Sequence, residues 1–369
     1  MKVLMITPRF IYGGIEKLLL DYFENRKDVK IQYDVLIYTG VCDKELKQHL
    51  ENLEINMYSL HSDKYRNKIF KRLYEIFQLT KFLKKNPYDV VHIHTTDYKR
   101  SIDLGCAKIL GVHGRVMHAH SGKKNKVGFA EIFWPLKILF DYTATDYCAC
   151  SKLAAEYLYS KRIINQQRYT VINNGINMKQ FMFSESMRNQ MRNKLGISDN
   201  VVIGHIGRFS IPKNHMFIID IFCKLVKLDS KYKLLLVGDG ELRHEIEERI
   251  VRCHIEDKVI LYGTTDNVGK ILSAMDIFVL PSLFEGLGIA LIEAQCNGLP
   301  CIVSESIPDE AIITSNVIRL NLNMGQKVWA DRIANINAER VDESEKIEEK
   351  GFSIANTVKQ LETIYKKYQ

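Results

Sequence analysis

The chain has 369 residues, 46% hydrophobic and 26% charged, with a net charge of +8. That length exceeds what one core usually holds, so two domains are expected, and the composition excludes a disordered or fibrous chain. No run approaches the roughly 18 apolar residues of a membrane span, and the start MKVLMITPRF lacks a basic region ahead of a long apolar one, so a cytoplasmic chain without a signal peptide is expected.

The eight cysteines (Cys42, Cys106, Cys148, Cys150, Cys223, Cys253, Cys296 and Cys301) include no C-x-x-C pair and no zinc-finger spacing, and read as reduced, mostly buried thiols. The charge is uneven. Residues 1–170 hold 28 Lys and Arg against 18 Asp and Glu, while the remainder is slightly acidic.

Strand patterns in the first half fall at Lys2–Thr7, Tyr33–Tyr38, Ile55–Leu60, Val90–Thr95, Arg115–His120, Tyr147–Ser151 and Thr170–Asn173, with helical stretches between them. The first strand leads to Gly13-Gly14 and a helical run, Ile15 to Phe23, so a backbone pressed close to a phosphate and a plain left-handed turn are both open there. The pair is not G-x-G-x-x-G, which leaves a nicotinamide or flavin cofactor without a fingerprint.

Two basic segments follow. In Lys64–Lys85 an apolar stripe of Ile69, Leu73, Ile76, Phe77, Leu79, Phe82 and Leu83 is flanked by lysines and arginines; in Lys123–Lys137 lysines stand beside Phe129, Phe133 and Trp134. Each reads as a core helix with a solvated basic face or as a contact with an anionic membrane or lipid acceptor. No nucleic-acid-binding motif accompanies the charge, so nucleic acid is not an expected partner. Histidines gather at His92, His94, His118 and His120; His118 and His120 alternate along one strand and share a face, and core packing is the ordinary fate of His92 and His94.

A turn cluster at Asn173–Asn177 and a strand-poor stretch after it place the domain boundary near 175–200, giving domains 1–178 and 179–351. The βα rhythm restarts at Val201–Arg208, Lys233–Gly238, Lys258–Gly263, Ile277–Leu280, Cys301–Ser304 and Val317–Leu320, and a helix with Ile354, Val358, Leu361, Ile364 and Tyr365 in register covers 352–369. The fold class is therefore α/β with two doubly wound, Rossmann-like parallel sheets.

Three strand exits in the second half carry chemistry. Arg208 and Lys213, five residues apart, suit a diphosphate clamp, although two surface cations would look the same. Gly238-Asp239-Gly240 is a tight turn. The third exit runs through Ser282, Glu285, Gly286, Leu287 and Gly288 into a helix bearing Glu293 and closed by Gly298 and Pro300. Two carboxylates so placed suit sugar hydroxyls; alone, they also fit a solvated turn and the polar face of a helix.

The pattern Ser282, Glu285, Gly286, Gly288, Glu293, Ala294, Gly298, Pro300 resembles the retaining glycosyltransferases of the GT-B class, family 4 (group 1), of the type that builds bacterial capsules and exopolysaccharides. The stretch from Gly207 to Asn214 matches the same family's G-R-x-x-x-x-K-N. The resemblance implies a GT-B fold of two lobes facing across a cleft, the C-terminal helix returning to the first domain, and transfer of a hexose or N-acetylhexosamine from a UDP-sugar to a lipid-linked saccharide. It places Glu293 on the ribose, Glu285 by the sugar or nucleotide, and Arg208 and Lys213 on the departing diphosphate.

By the same resemblance Gly13 and Gly14 lie by the diphosphate or acceptor, and Gly238, Gly286, Leu287 and Gly288 near the donor. His120 or His118 stands beside the reacting sugar, and Glu310 of the Pro308–Glu310 loop touches the donor. His-Ala-His-Ser at 118–121 replaces the His-Ser-His-Asn common in related enzymes, so the choice between the two histidines stays open. No D-x-D occurs, and no metal or other cofactor is expected. A sugar-nucleotide epimerase, a phosphorylase-like enzyme and a non-catalytic partner subunit would share the same sheets.

Overall fold

Short apolar runs, most of them rich in β-branched residues, become strands β1 (Lys2–Thr7), β2 (Gln32–Ile37), β3 (Asn56–Ser59), β4 (Val90–Thr95), β5 (Gly114–Ala119), β6 (Asp146–Ala149) and β7 (Thr170–Val171), then β8 (Val201–Ile206), β9 (Tyr232–Val237), β10 (Val259–Gly263), β11 (Ile277–Leu280), β12 (Cys301–Ser304) and β13 (Val317–Leu320). Each lies within two residues of its sequence-predicted position. The computed structural model describes residues 1–11, 13–120 and 135–369. Of the basic segment at Lys123–Lys137, residues 123–134 and the side chains of 135–137 lie outside the described residues.

The chain divides into two units, Met1–Ile176 with Ile354–Gln369, and Asn177–Ser353. The first sheet runs β3-β2-β1-β4-β5-β6-β7 and the second β10-β9-β8-β11-β12-β13, and the pairings within them are parallel. Helices cover both faces, which is why central strands such as β4 and β11 are buried along their whole length. In each sheet the winding direction reverses between the first and fourth strands, β1 and β4 or β8 and β11. Loops leaving their carboxyl ends diverge there and open a crevice.

In the first unit, the C-terminal helix Ile354–Lys366 seats Val358, Leu361, Ile364 and Tyr365 among Tyr22, Tyr33 and Val116. Its Glu362 accepts the backbone N–H groups of Lys27 and Asp28 at 2.9 and 3.1 Å. Gly13 is extended (φ −173°) and Gly14 opens the helix Gly14–Asn25, so no left-handed turn occurs here. A side chain on Gly13 would meet the Glu16 carboxylate at 2.6 Å, whereas Gly14 faces open space.

The helix Lys68–Lys85 corrects the predicted stripe. Leu79 and Leu83 are buried, but Ile69, Phe70, Leu73 and Phe77 are exposed. The first two turns turn charge inward instead: Glu75 and Asp103, both buried, are shared by Arg72 and Arg100, and the Tyr38 hydroxyl donates to Asp103 at 2.6 Å. Ion pairs hold this part of the helix down, which frees its apolar residues for the surface.

Of the eight cysteines, Cys148, Cys150, Cys296 and Cys301 are buried and the other four partly so, fewer than expected. Among the described residues no helix is long and apolar enough to cross a membrane.

Candidate active site

The carboxyl ends of β8 and β11 bring Lys213 onto Glu285. After β8 the chain makes a short 3₁₀ turn, Ile211–Lys213, and this turn is fastened to the β11 exit: Leu283 donates its N–H to the Pro212 carbonyl at 2.8 Å and Asn214 its amide to the Pro281 carbonyl at 3.1 Å. Lys213 Nζ then sits 2.7 Å from Glu285 Oε1, and the buried Ser282 hydroxyl donates to the same oxygen at 2.7 Å. Glu285 is only 8% exposed, so the solvated turn does not describe it. Its second oxygen, Oε2, makes neither of those two contacts.

Leu287 is buried, and Gly288 turns into the helix Ile289–Cys296 with φ +84°, a left-handed conformation that favours glycine. Glu293, at 5% exposure, is buried on that helix and not on a polar face. The β12 exit is tied to the same loop, because Ser304 and Ser306 both donate to the Ser282 carbonyl, at 2.6 and 2.5 Å. Glu310 lies further out, exposed in the turn Asp309–Ala311.

The β9 exit closes on the β8 exit from the other side. Gly207 donates to Val237 and Phe209 to Asp239, both at 2.9 Å, and at Gly238 (φ +137°) a side chain would strike the Gly207 carbonyl at 2.1 Å. Arg208, 67% exposed, reaches across to Glu241, with Nε and Nη2 each 3.0 Å from Oε2. That carboxylate is held below its usual range by its own backbone N–H first and by Arg208 second.

Sequence reading did not single out Ser282 as a holder of Glu285. It also passed over His205 and His215, whose rings meet edge to face at 4.8 Å in the protein interior. His205 Nδ1 donates to the Val279 carbonyl, 2.9 Å away. Burial keeps both imidazoles neutral, with His215 pushed down to about 4. No motif spacing signals such a pair, since its members come from a strand and from the helix that follows.

In the first unit β4 and β5 pair His94 with His118 in register, and His92, His94, His118 and His120 form one run of imidazoles. His94 Nδ1 is 2.8 Å from His120 Nε2, and His92 Nδ1 is 2.6 Å from the Tyr365 hydroxyl. His118 is fully buried and His120 partly so, at the carboxyl end of β5; burial lowers the pKa of His120 to about 3. His120 is thus the outer member and His118 the inner one. A cavity of about 540 Å³ opens elsewhere, at the amino ends of β1, β2 and β3 among Lys2, Gln32, Asp34 and Asn56, away from these groups.

Residues 187–353 match the family described as Glycosyl transferases group 1, and residues 12–180 the Glycosyltransferase Family 4. A Bacillus subtilis protein, EpsF, named as a glycosyltransferase, is 30% identical over 91% of this chain and 88% of its own length. The Escherichia coli UDP-Gal:alpha-D-GlcNAc-diphosphoundecaprenol alpha-1,3-galactosyltransferase is 27% identical over 80% of each chain. The fold is shared with Anabaena HepE, solved in complex with UDP, at TM-score 0.78 and 18% identity over the whole of both chains.

Proposed function

The chain belongs to the group 1, family 4 glycosyltransferases, and from that membership we propose that it moves a hexose or N-acetylhexosamine from a UDP-sugar to a lipid-linked saccharide in surface-polysaccharide assembly, with retention at the anomeric carbon. The observation that carries the reading is the Lys213–Glu285–Ser282 contact at the winding reversal of the second sheet, with Arg208 on the adjoining strand exit. Fixed cations beside a fixed acid suit a ligand with a diphosphate at one end and hydroxyls at the other. The donor named for the Escherichia coli relative and the UDP held by the Anabaena protein support the choice of base.

In the reaction the bond from the anomeric carbon to the β-phosphate oxygen breaks, and both electrons go to the diphosphate. Arg208 and Lys213 neutralise that charge as it develops, which is where a preorganised cation lowers a barrier. The acceptor hydroxyl forms the new bond on the face the diphosphate leaves, and its proton passes to a departing phosphate oxygen. Glu293 takes the ribose hydroxyls and Glu285, through Oε2, the sugar or nucleotide. Gly238, Gly286, Leu287 and Gly288 supply close backbone around the donor, and Glu310 lies at its edge.

To the first unit we assign the acceptor, with Gly13 and Gly14 at the open helix start and His120 as the histidine at the sugar. His118 is buried too deeply to meet a substrate directly. No metal or other cofactor enters this reaction. The exposed Ile69, Phe70, Leu73 and Phe77, with Lys68 and Lys81 beside them, suit an anionic membrane surface from which a lipid-linked acceptor is collected.

Calorimetric titration with UDP-, GDP- and ADP-sugars tests the donor, and the anomeric configuration of the product tests retention. Preference for a UDP-sugar with a retained anomer supports the reading. Equal affinity for all three bases, or an inverted product, overturns it.

A further inference from the structure

His92 and His94 alternate on β4 and His118 stands on the neighbouring strand β5, so two strands deliver three imidazoles to one face of the first sheet. All three are buried, and one ring nitrogen from each lies within 4.8 Å of the other two. The rings run side by side, with centroids 4.1 Å apart for His92 and His94 and 5.2 Å for His94 and His118.

The pattern of unpaired atoms is informative. Among the described residues His92 Nε2, His94 Nε2 and both nitrogens of His118 have no hydrogen-bond partner, although buried polar atoms are nearly always paired. The opposite nitrogens of two of these rings are held: Nδ1 of His92 by the Tyr365 hydroxyl and Nδ1 of His94 by His120. A metal-ligating histidine has this arrangement, with one nitrogen fixed by an outer partner and the other free to coordinate. Burial also keeps all three rings in the neutral form that binds metal.

We propose that His92 Nε2, His94 Nε2 and one nitrogen of His118 form a site for a divalent transition ion of the zinc type. Three neutral nitrogens select zinc, cobalt, nickel or copper over magnesium and calcium, which prefer oxygen. Zinc binds imidazole nitrogen at about 2.0–2.1 Å, which puts two such nitrogens about 3.4 Å apart around a tetrahedral ion. The rings need to close by about an ångström or less each, within reach of side-chain rotation. The fourth position is left for water, and the partly exposed His120 marks the end of the run from which an ion enters. An occupied site ties β4 to β5 and fixes the His94 ring that holds His120. The site does not depend on the assignment of the donor residues in the second unit.

The test uses the full chain without a histidine tag, stripped with chelator and titrated with Co²⁺ and Zn²⁺. The expected result is one equivalent per chain that survives gel filtration, with a tetrahedral Co²⁺ absorption band and a raised melting temperature. His118→Asn and His92→Gln are each expected to lose that equivalent, while His244→Gln, at an exposed histidine, keeps it. Should the inner variants fail to fold, the wild-type titration decides alone. No retained equivalent, an octahedral cobalt spectrum, or a stoichiometry unchanged by folded His118→Asn would overturn the site; the last outcome assigns the ion to exposed histidines.

Discussion

Replacing Arg208 with alanine separates chemistry from folding. The side chain is 67% exposed and its contact is the half-exposed carboxylate of Glu241, an ion pair that water and salt screen. Truncation therefore leaves the melting temperature essentially unchanged. If the guanidinium meets the departing diphosphate, its loss removes a donor aimed at developing charge, which costs roughly 10²–10³ in kcat, or about 2.7–4 kcal/mol of barrier. The assay follows release of UDP with saturating donor and acceptor, alongside a thermal scan of each variant. Glu241→Gln is the companion: it releases Arg208 from the competing carboxylate, so UDP affinity holds level or rises. Near-normal turnover by a folded Arg208→Ala protein refutes the clamp, and weaker UDP binding by Glu241→Gln refutes the idea that Glu241 competes with phosphate.

Other perturbations follow from the same structure. Lys213→Met leaves the buried Glu285 carboxylate with Ser282 but without its cation, which lowers stability by roughly 1–3 kcal/mol and the melting temperature by about 2–4 °C per kcal/mol; an unchanged scan would mean that the pair is not formed. Deleting residues after Ser353 uncovers the seats of Val358, Leu361, Ile364 and Tyr365, each worth about 1.5–3 kcal/mol, so the first unit becomes protease-sensitive under conditions where the full chain is resistant. Ile69→Ser, Phe70→Ser and Phe77→Ser combined leave the melting temperature in place but abolish flotation with anionic vesicles; retained flotation removes this helix as the membrane contact. Because burial depresses His215 to about 4, the unfolded chain binds the extra proton between pH 6.5 and about 4, and stability falls as pH drops through that window. In urea titrations at pH 7.5 and 5, His215→Gln is expected to lose less stability between the two than the wild type.

The architecture was legible because the strands of such parallel sheets are short, mostly apolar and bounded by turns, and all thirteen announce themselves. The helix Lys68–Lys85 was not. Its apolar stripe gives no hint that its own Glu75, together with Asp103 of the helix Ser101–Ile109, draws Arg72 and Arg100 inward and leaves Ile69, Phe70 and Phe77 outside. Glu285 and Glu293 were visible by motif, but their burial depends on which strands become neighbours. The same holds for Ser282 beside Glu285 and for the run of histidines, where the register of β4 against β5 decides which imidazoles meet. Spacing along a chain records local periodicity, while contacts between strand exits follow from sheet order.

The β8 and β11 exits are proposed to hold a nucleotide-sugar. Hydrogen–deuterium exchange of the full chain with and without saturating UDP reads this directly. Exchange is expected to slow across residues 207–214 and 281–293, and Arg208→Ala to lose that protection. Protection confined to other segments, or none at a concentration where calorimetry shows binding, would contradict it.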